Sequence, residues 1–95
     1  MRHVKESRTF KRDKKRIDRS GQYGRAMRER FIPAVLTLAN DGMLDYSYHD
    51  HELIGKKKGI RECHILPDLL LMYRYEGDNT LWLEGLGSHA ELFGM

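Results

Sequence analysis

Residues 60–86 of this 95-residue chain contain three runs of strand-forming residues, Ile60–Leu66, Leu69–Glu76 and Thr80–Leu86, divided by Pro67-Asp68 and Gly77-Asp78-Asn79. Apolar runs separated by tight-turn residues predict three strands in two successive hairpins. The middle run opens LLLMYRY without a polar break, which marks a central strand covered on both faces. The N-terminal half supplies the cover. SRTFKRDKKRIDRSG (Ser7–Gly21) has helix-forming residues throughout, Ser7 or Thr9 as its cap and a stop at Ser20-Gly21. Only Phe10 and Ile17 share a face, so this helix is expected on the surface with its basic side in water. Tyr23, Met27, Phe31, Val35 and Leu38 then recur at steps of four and three, the spacing of a second helix burying one stripe. Pro33 predicts a kink or a restart there, because proline lacks the amide proton and clashes with the preceding turn. Asn40-Asp41-Gly42 ends that helix.

Met1–Glu6 alternates weakly, as a short first strand would, whereas residues 43–59 show neither period and predict an ordered loop of the functional kind. Ser88-His89-Ala90-Glu91 has the form of a capping box, opening a last helical turn through Phe93. His89 then holds the first helical position, where outward-pointing amides suit a phosphate. Counting in twos from Leu81 and Leu83 puts position 85 on the core side of its strand. The expected fold is α+β, one domain over residues 1–95, since a chain this short buries only roughly 60–70% of its surface and supports one core.

Charge is divided unevenly. Residues 1–30 hold twelve Lys/Arg against four Asp/Glu, and residues 31–95 hold five against ten. A block of one sign attracts polyanions, which makes the N-terminal third a candidate nucleic-acid surface, a solvated helix face or a patch covered by an acidic protein partner. No apolar stretch approaches a membrane span or an export signal, and the lone Cys63 can form no internal disulfide, so a reducing cytoplasm is the expected setting.

Four of five histidines fall in the C-terminal half: His49, His51, His64 and His89, with Asp50, Glu62 and Asp68 as acidic neighbours. Cleaving RNA without a metal needs a base for the 2′-hydroxyl proton, a cation for the phosphorane and an acid for the departing 5′ oxygen. Histidine suits both proton transfers near neutral pH. Taken singly, each histidine also has a plainer role, in a polar loop or on a strand. His49 and His51 could face one metal ion, but no CxxC or HExxH spacing accompanies them, so no metal or other cofactor is expected. Cys63 reads as a small buried apolar residue.

The string DHELIG (Asp50–Gly55), then KKKGIRECHILPDLLLMYRY (Lys56–Tyr75) and LGSHAELFG (Leu86–Gly94), resembles the YafQ-like mRNA interferases of the RelE/ParE toxin superfamily. Members typically show D-H-x-L-x-G, R-E/D-x-H-x-x-P-D, a Y-R/K strand and R-x-G-[ST]-H-x-x-L-F, and these pieces occur here in the same order over about half the chain. The basic Phe10–Arg16 segment fits as well. The resemblance implies two N-terminal helices on a twisted antiparallel sheet. It also implies cleavage of mRNA in the ribosomal A site, and neutralisation by a cognate antitoxin. Carried over residue by residue, the functional positions are His51, His64, Asp68, Gly85, His89 and Phe93. Their implied roles are His89 as acid, His51 or His64 as base, Asp68 orienting a histidine and Phe93 packing on a nucleotide. Lys11, Arg12, Lys14, Lys15, Arg16, Lys56, Lys57 and Lys58 are the expected RNA and ribosome contacts. Operator DNA would be reached only through the antitoxin complex.

Two departures bear on activity. Leu69 replaces the tryptophan that commonly follows P-D, removing a stacking surface. Gly85 stands where the motif has arginine, expected to stabilise phosphate charge. The sequence therefore supports an attenuated ribonuclease and, as an alternative, a catalytically silent antitoxin-binding co-repressor.

Overall fold

A computed structural model describes residues 1–55 and 59–94. Five strands, β1 (His3–Glu6), β2 (His51–Glu52), β3 (Arg61–Leu66), β4 (Leu69–Glu76) and β5 (Thr80–Gly87), form one sheet in the order β1-β5-β4-β3-β2. The two expected hairpins are present, and β4 is the middle strand, with Leu69–Tyr73 buried. The sheet is mixed rather than antiparallel, because β1 pairs parallel with β5. Tight turns join only antiparallel neighbours, whereas β1 leads directly into helices and the chain returns to its side of the sheet much later. Within the segment expected to be loop, His51 and Glu52 pair with Glu62 and Arg61 as β2.

Helix α1 (Arg8–Ser20) starts at Ser7, whose hydroxyl accepts the Phe10 N–H, and stops at Gly21 in the left-handed conformation at φ 69°. It buries Phe10 and Ile17, and also Asp13, which the periodicity did not single out. Asp13 accepts the Leu86 N–H at 3.0 Å and an Arg16 N–H at 3.0 Å, so the buried carboxylate is fully engaged. The second helical stretch runs from α2 (Gly24–Ala26) through a π-helical turn (Met27–Phe31) into α3 (Ile32–Ala39). Pro33 lies in the first turn of α3, where the regular helix resumes after the π turn, the second of the two expected outcomes. The wider turn just before it, in which the Ile32 N–H reaches back to the Met27 carbonyl, lets the helix pass the proline. Phe10, Ile17, Met27, Phe31 and Leu38 pack against Cys63, Ile65, Leu71, Tyr73, Leu81 and Leu83 as one core on one face of the sheet.

The opposite face carries the candidate chemistry. Directly paired residues of adjacent strands share a face, so the row His51–Glu62–Met72–Gly85 lies on one side of the sheet. The next row is His64–Leu70–Gly87. A bulge decides where Gly85 falls. The register steps from Met72↔Gly85 to Tyr73↔Leu83, leaving Glu84 as an extra residue, and this moves position 85 from the expected core side to the His51 and Glu62 side. Helix α4 (His89–Phe93) follows β5, with both halves of the Ser88/Glu91 capping box formed. Among the described residues no helix is long and apolar enough to cross a membrane.

Candidate active site

β3 supplies the floor of a cleft. Cys63 points into the core with no exposure, where burial pushes its thiol up to about 12, so its neighbours Glu62 and His64 must face the other way. Glu62 is buried, and its carboxylate lies 3.4 Å from His64 Nε2 and 3.8 Å from His51 Nε2. The His64 ring stands centrally, 5.3 Å from that of His49, 6.4 Å from His51 and 5.9 Å from His89. Desolvation holds the His64 pKa below the ordinary value; Glu62 pulls it up, and His49 and His89 oppose Glu62. His64 is therefore a neutral imidazole near pH 7, able to take a proton.

His89 is held differently. Its Nδ1–H donates to Asp68 at 2.8 Å, and its backbone N–H donates to the same oxygen at 2.9 Å. The amide expected to greet a phosphate is thus taken by Asp68. These two bonds lower the Asp68 pKa, keeping an anion beside the imidazole. Phe93 lies beside it, ring centroids 6.3 Å apart.

Above the floor, His51 Nδ1–H donates to the His49 carbonyl at 2.7 Å, which turns Nε2 toward Glu62. The segment carrying these residues is anchored by the intervening Asp50, whose carboxylate accepts the Tyr73 hydroxyl at 2.5 Å and an Arg61 N–H at 3.2 Å. Burial, with that carboxylate close by, raises the Tyr73 phenol and keeps it a donor. The cleft, about 640 Å³, is lined by Arg30, His49, His51, His64 and Pro67 among others. That volume falls within the usual range for small-ligand sites.

The structure thus brings His51, His64, Asp68, His89 and Phe93 into a chain of neighbouring groups, and Gly85 onto the same face of the sheet. Glu62 and His49 join them. Both were visible in the sequence as neighbours of candidate residues, but nothing local signalled that Glu62 would lie between two histidines. Glu62, His64 and His89 also offer ligand atoms within 4.8 Å of one another, a metal-competent set different from the His49/His51 pair.

The basic residues divide. Arg8, Lys11, Arg12, Lys15, Arg16 and Arg19 border a groove along α1. Arg16 is committed within the fold, to Asp13, to the Leu86 carbonyl at 3.0 Å and to Glu91 at 2.9 Å, and Lys14 pairs with Asp18. Lys56, Lys57 and Lys58 lie outside the described residues.

Residues 2–94 match the family described as bacterial toxin of type II toxin-antitoxin system, YafQ. The mRNA interferase toxin YafQ of Escherichia coli K12 is 42% identical over 60 residues, covering 63% of this chain and 64% of that relative, so the chain spans just under two thirds of the relative's length. A copper-bound mutant toxin from Helicobacter pylori superposes with a TM-score of 0.86 at 38% identity, over 98% of this chain and 100% of that one. The YafQ chain of the E. coli DinJ-YafQ toxin-antitoxin complex gives 0.80 at 31% identity, over 98% of each.

Proposed function

This chain belongs to the YafQ family of bacterial type II toxins, and we propose that it is an endoribonuclease acting on mRNA in the ribosomal A site, held in check by an antitoxin. The observation that carries the proposal is a pair of carboxylate–histidine couples in different settings whose imidazoles stand 5.9 Å apart. Glu62–His64 is sunk in the sheet with its imidazole neutral, and Asp68–His89 is at the rim with its carboxylate kept ionised. On this reading the base role falls to the desolvated, neutral His64 and the acid role to His89, held by an ionised carboxylate at the rim. His64 takes the 2′-hydroxyl proton as the 2′ oxygen attacks phosphorus. The bond to the 5′ oxygen then breaks, and His89 donates its proton to that leaving group, giving a 2′,3′-cyclic phosphate and a 5′-hydroxyl end. His51, more exposed, contacts substrate, and Phe93 packs on a nucleotide.

Lys11, Arg12 and Lys15 on α1 provide the ribosomal RNA contact, with operator DNA reached only through the antitoxin. The antitoxin itself is supported by the relative solved with DinJ. Glu62, His64 and His89 are also suited to a divalent cation, and a relative has been solved with copper bound. An ion on these three atoms would withdraw both proton-transfer groups, so added copper should inhibit and a chelator restore cleavage. Gly85 favours a second reading, an inactive co-repressor. Inducing the parent and His89→Ala in cells and mapping mRNA ends separates the two: new ends with 5′-hydroxyls in the parent alone support the nuclease, and identical maps support the co-repressor.

A further inference from the structure

Neither imidazole carries a permanent charge, yet a phosphorane needs a fixed positive partner. Arg30, in the π-helical turn, reaches across to β3. Its Nε–H donates to the Ile65 carbonyl at 3.0 Å, Nη2 to the His64 carbonyl at 3.3 Å and Nη1 to the Ser47 hydroxyl at 3.2 Å. The guanidinium carbon lies 3.9 Å from the centroid of the Tyr48 ring, and the Tyr48 hydroxyl donates to the Arg30 carbonyl at 3.1 Å. The fork is thus fixed on one face and along three of its five N–H directions, all by neutral groups.

Arg2, Arg16, Arg25, Arg61 and Arg74 each pair with a carboxylate, whereas among the described residues none lies within ion-pair distance of Arg30. Asp45, which feels its charge, is engaged by the Ser47 N–H and hydroxyl. A half-buried, rigid and unneutralised cation therefore lines the same cleft as His49, His51 and His64.

We propose that Arg30 is the phosphate-binding cation of this cleft, placing its two remaining N–H groups on the scissile phosphate and stabilising the charge that develops there. The proposal rests on the ribonuclease reading above. It also gives the π turn a use: the turn sets Arg30 against β3 just ahead of Pro33, and such irregular turns recur at functional sites.

The test compares the parent with Arg30→Ala and Arg30→Lys in two assays. One is binding of a short 2′-O-methyl RNA, which cannot be cut; the other is single-turnover cleavage of mRNA on programmed ribosomes. Arg30→Ala should cut roughly a hundred- to thousandfold more slowly, the usual loss of a preorganised oxyanion donor. Added guanidinium ion should restore part of the rate, and Arg30→Lys should retain more of it, because a charge returns to the cleft. Cleavage by Arg30→Ala within about threefold of the parent overturns the proposal. So does an equal loss in both variants that tracks their loss of folded protein and is not rescued by guanidinium, the signature of a merely structural tie. If the parent binds the RNA through Arg30 but cuts nothing, the ribonuclease reading falls and the anion site stands. If the parent cuts, and Arg30→Ala matches it in binding and cutting, the site falls and the ribonuclease reading stands. A parent that neither binds nor cuts overturns both.

Discussion

His64 and His89 are near neighbours, yet the chain holds them by unrelated means. His64 sits in a strand paired on both sides, with Cys63 and Ile65 locked in the core to either side of it. His89 sits in a five-residue helix that buries no side chain. That helix is held by its capping box, by Asp68, and by the Arg16–Glu91 ion pair reaching from α1. The proposed base therefore inherits the stability of the sheet, whereas the proposed acid depends on a few exposed polar tethers. Segments with little buried apolar surface open locally at low cost. Activity at the rim should accordingly be lost without loss of fold, and the two should be lost together at the floor.

The largest effects test this division directly. His89→Ala should lower cleavage by roughly a hundred- to ten-thousandfold, the range for a removed general acid, with an unchanged thermal midpoint. His64→Ala should lose a similar factor and also melt earlier, because Glu62 is left buried without its nearest partner. Scanning calorimetry beside ribosome-dependent cleavage gives both numbers, and equal melting temperatures for the two variants would break the comparison. Next in size is Asp68→Asn, which keeps an acceptor for His89 but removes the negative charge beside its imidazole. It should cost roughly tenfold in cleavage, about what a charge-assisted hydrogen bond is worth, again with no change in melting.

A smaller effect concerns pH. As the proposed base, His64 would act only when neutral, so the rate should fall as pH drops through its pKa, which desolvation already holds below the ordinary histidine value. Glu62 raises that pKa, and Glu62→Gln removes the raising influence. The acidic limb of the kcat/KM profile should therefore move to lower pH in Glu62→Gln, while the basic limb, belonging to the acid, stays in place. Movement of the acidic limb to higher pH would mean that His64 is not the base.

These contrasts show what a sequence makes legible. The three hairpin strands fell within one residue of their expected bounds, and the Ser88/Glu91 box was found intact, because alternation, turn residues and caps are local signals. The family motifs named His64, Asp68 and His89, and the structure shows Asp68 oriented on His89. What stayed hidden is non-local. Asp13 looked like one charge among many on a basic helix, and only the Leu86 N–H it accepts explains its burial. β1's parallel pairing, the pairing of His51 with Glu62, and the reach of Arg30 to β3 each join residues far apart in the chain. Bulges are equally silent, and the one at Glu84 reversed the face of Gly85.

Gly85→Arg is the last and smallest expectation in the parent background. From the motif alone a large gain would follow, since an arginine is restored where members carry one. The structure moderates this on two counts. A Cβ at position 85 meets Leu92 Cδ2 at 3.3 Å, the movable end of a side chain, and Asp13 Oδ2 at 3.6 Å. The longer side chain would fit by displacing Leu92, but its charge would be partly drawn to Asp13, which Arg16 already holds. If Arg30 supplies the cation, a second one adds little, and cleavage should change by no more than about threefold. In the Arg30→Ala background the same substitution should matter more, because the cleft then lacks a fixed charge and position 85 lies on the same face of the sheet as His51 and Glu62. Four proteins, namely the parent, each single variant and the double variant, form a cycle whose interaction energy reports whether the two positions serve one task. A gain from Gly85→Arg that is the same with and without Arg30 would show that they act independently, and that the cation at 30 does not replace an arginine at 85.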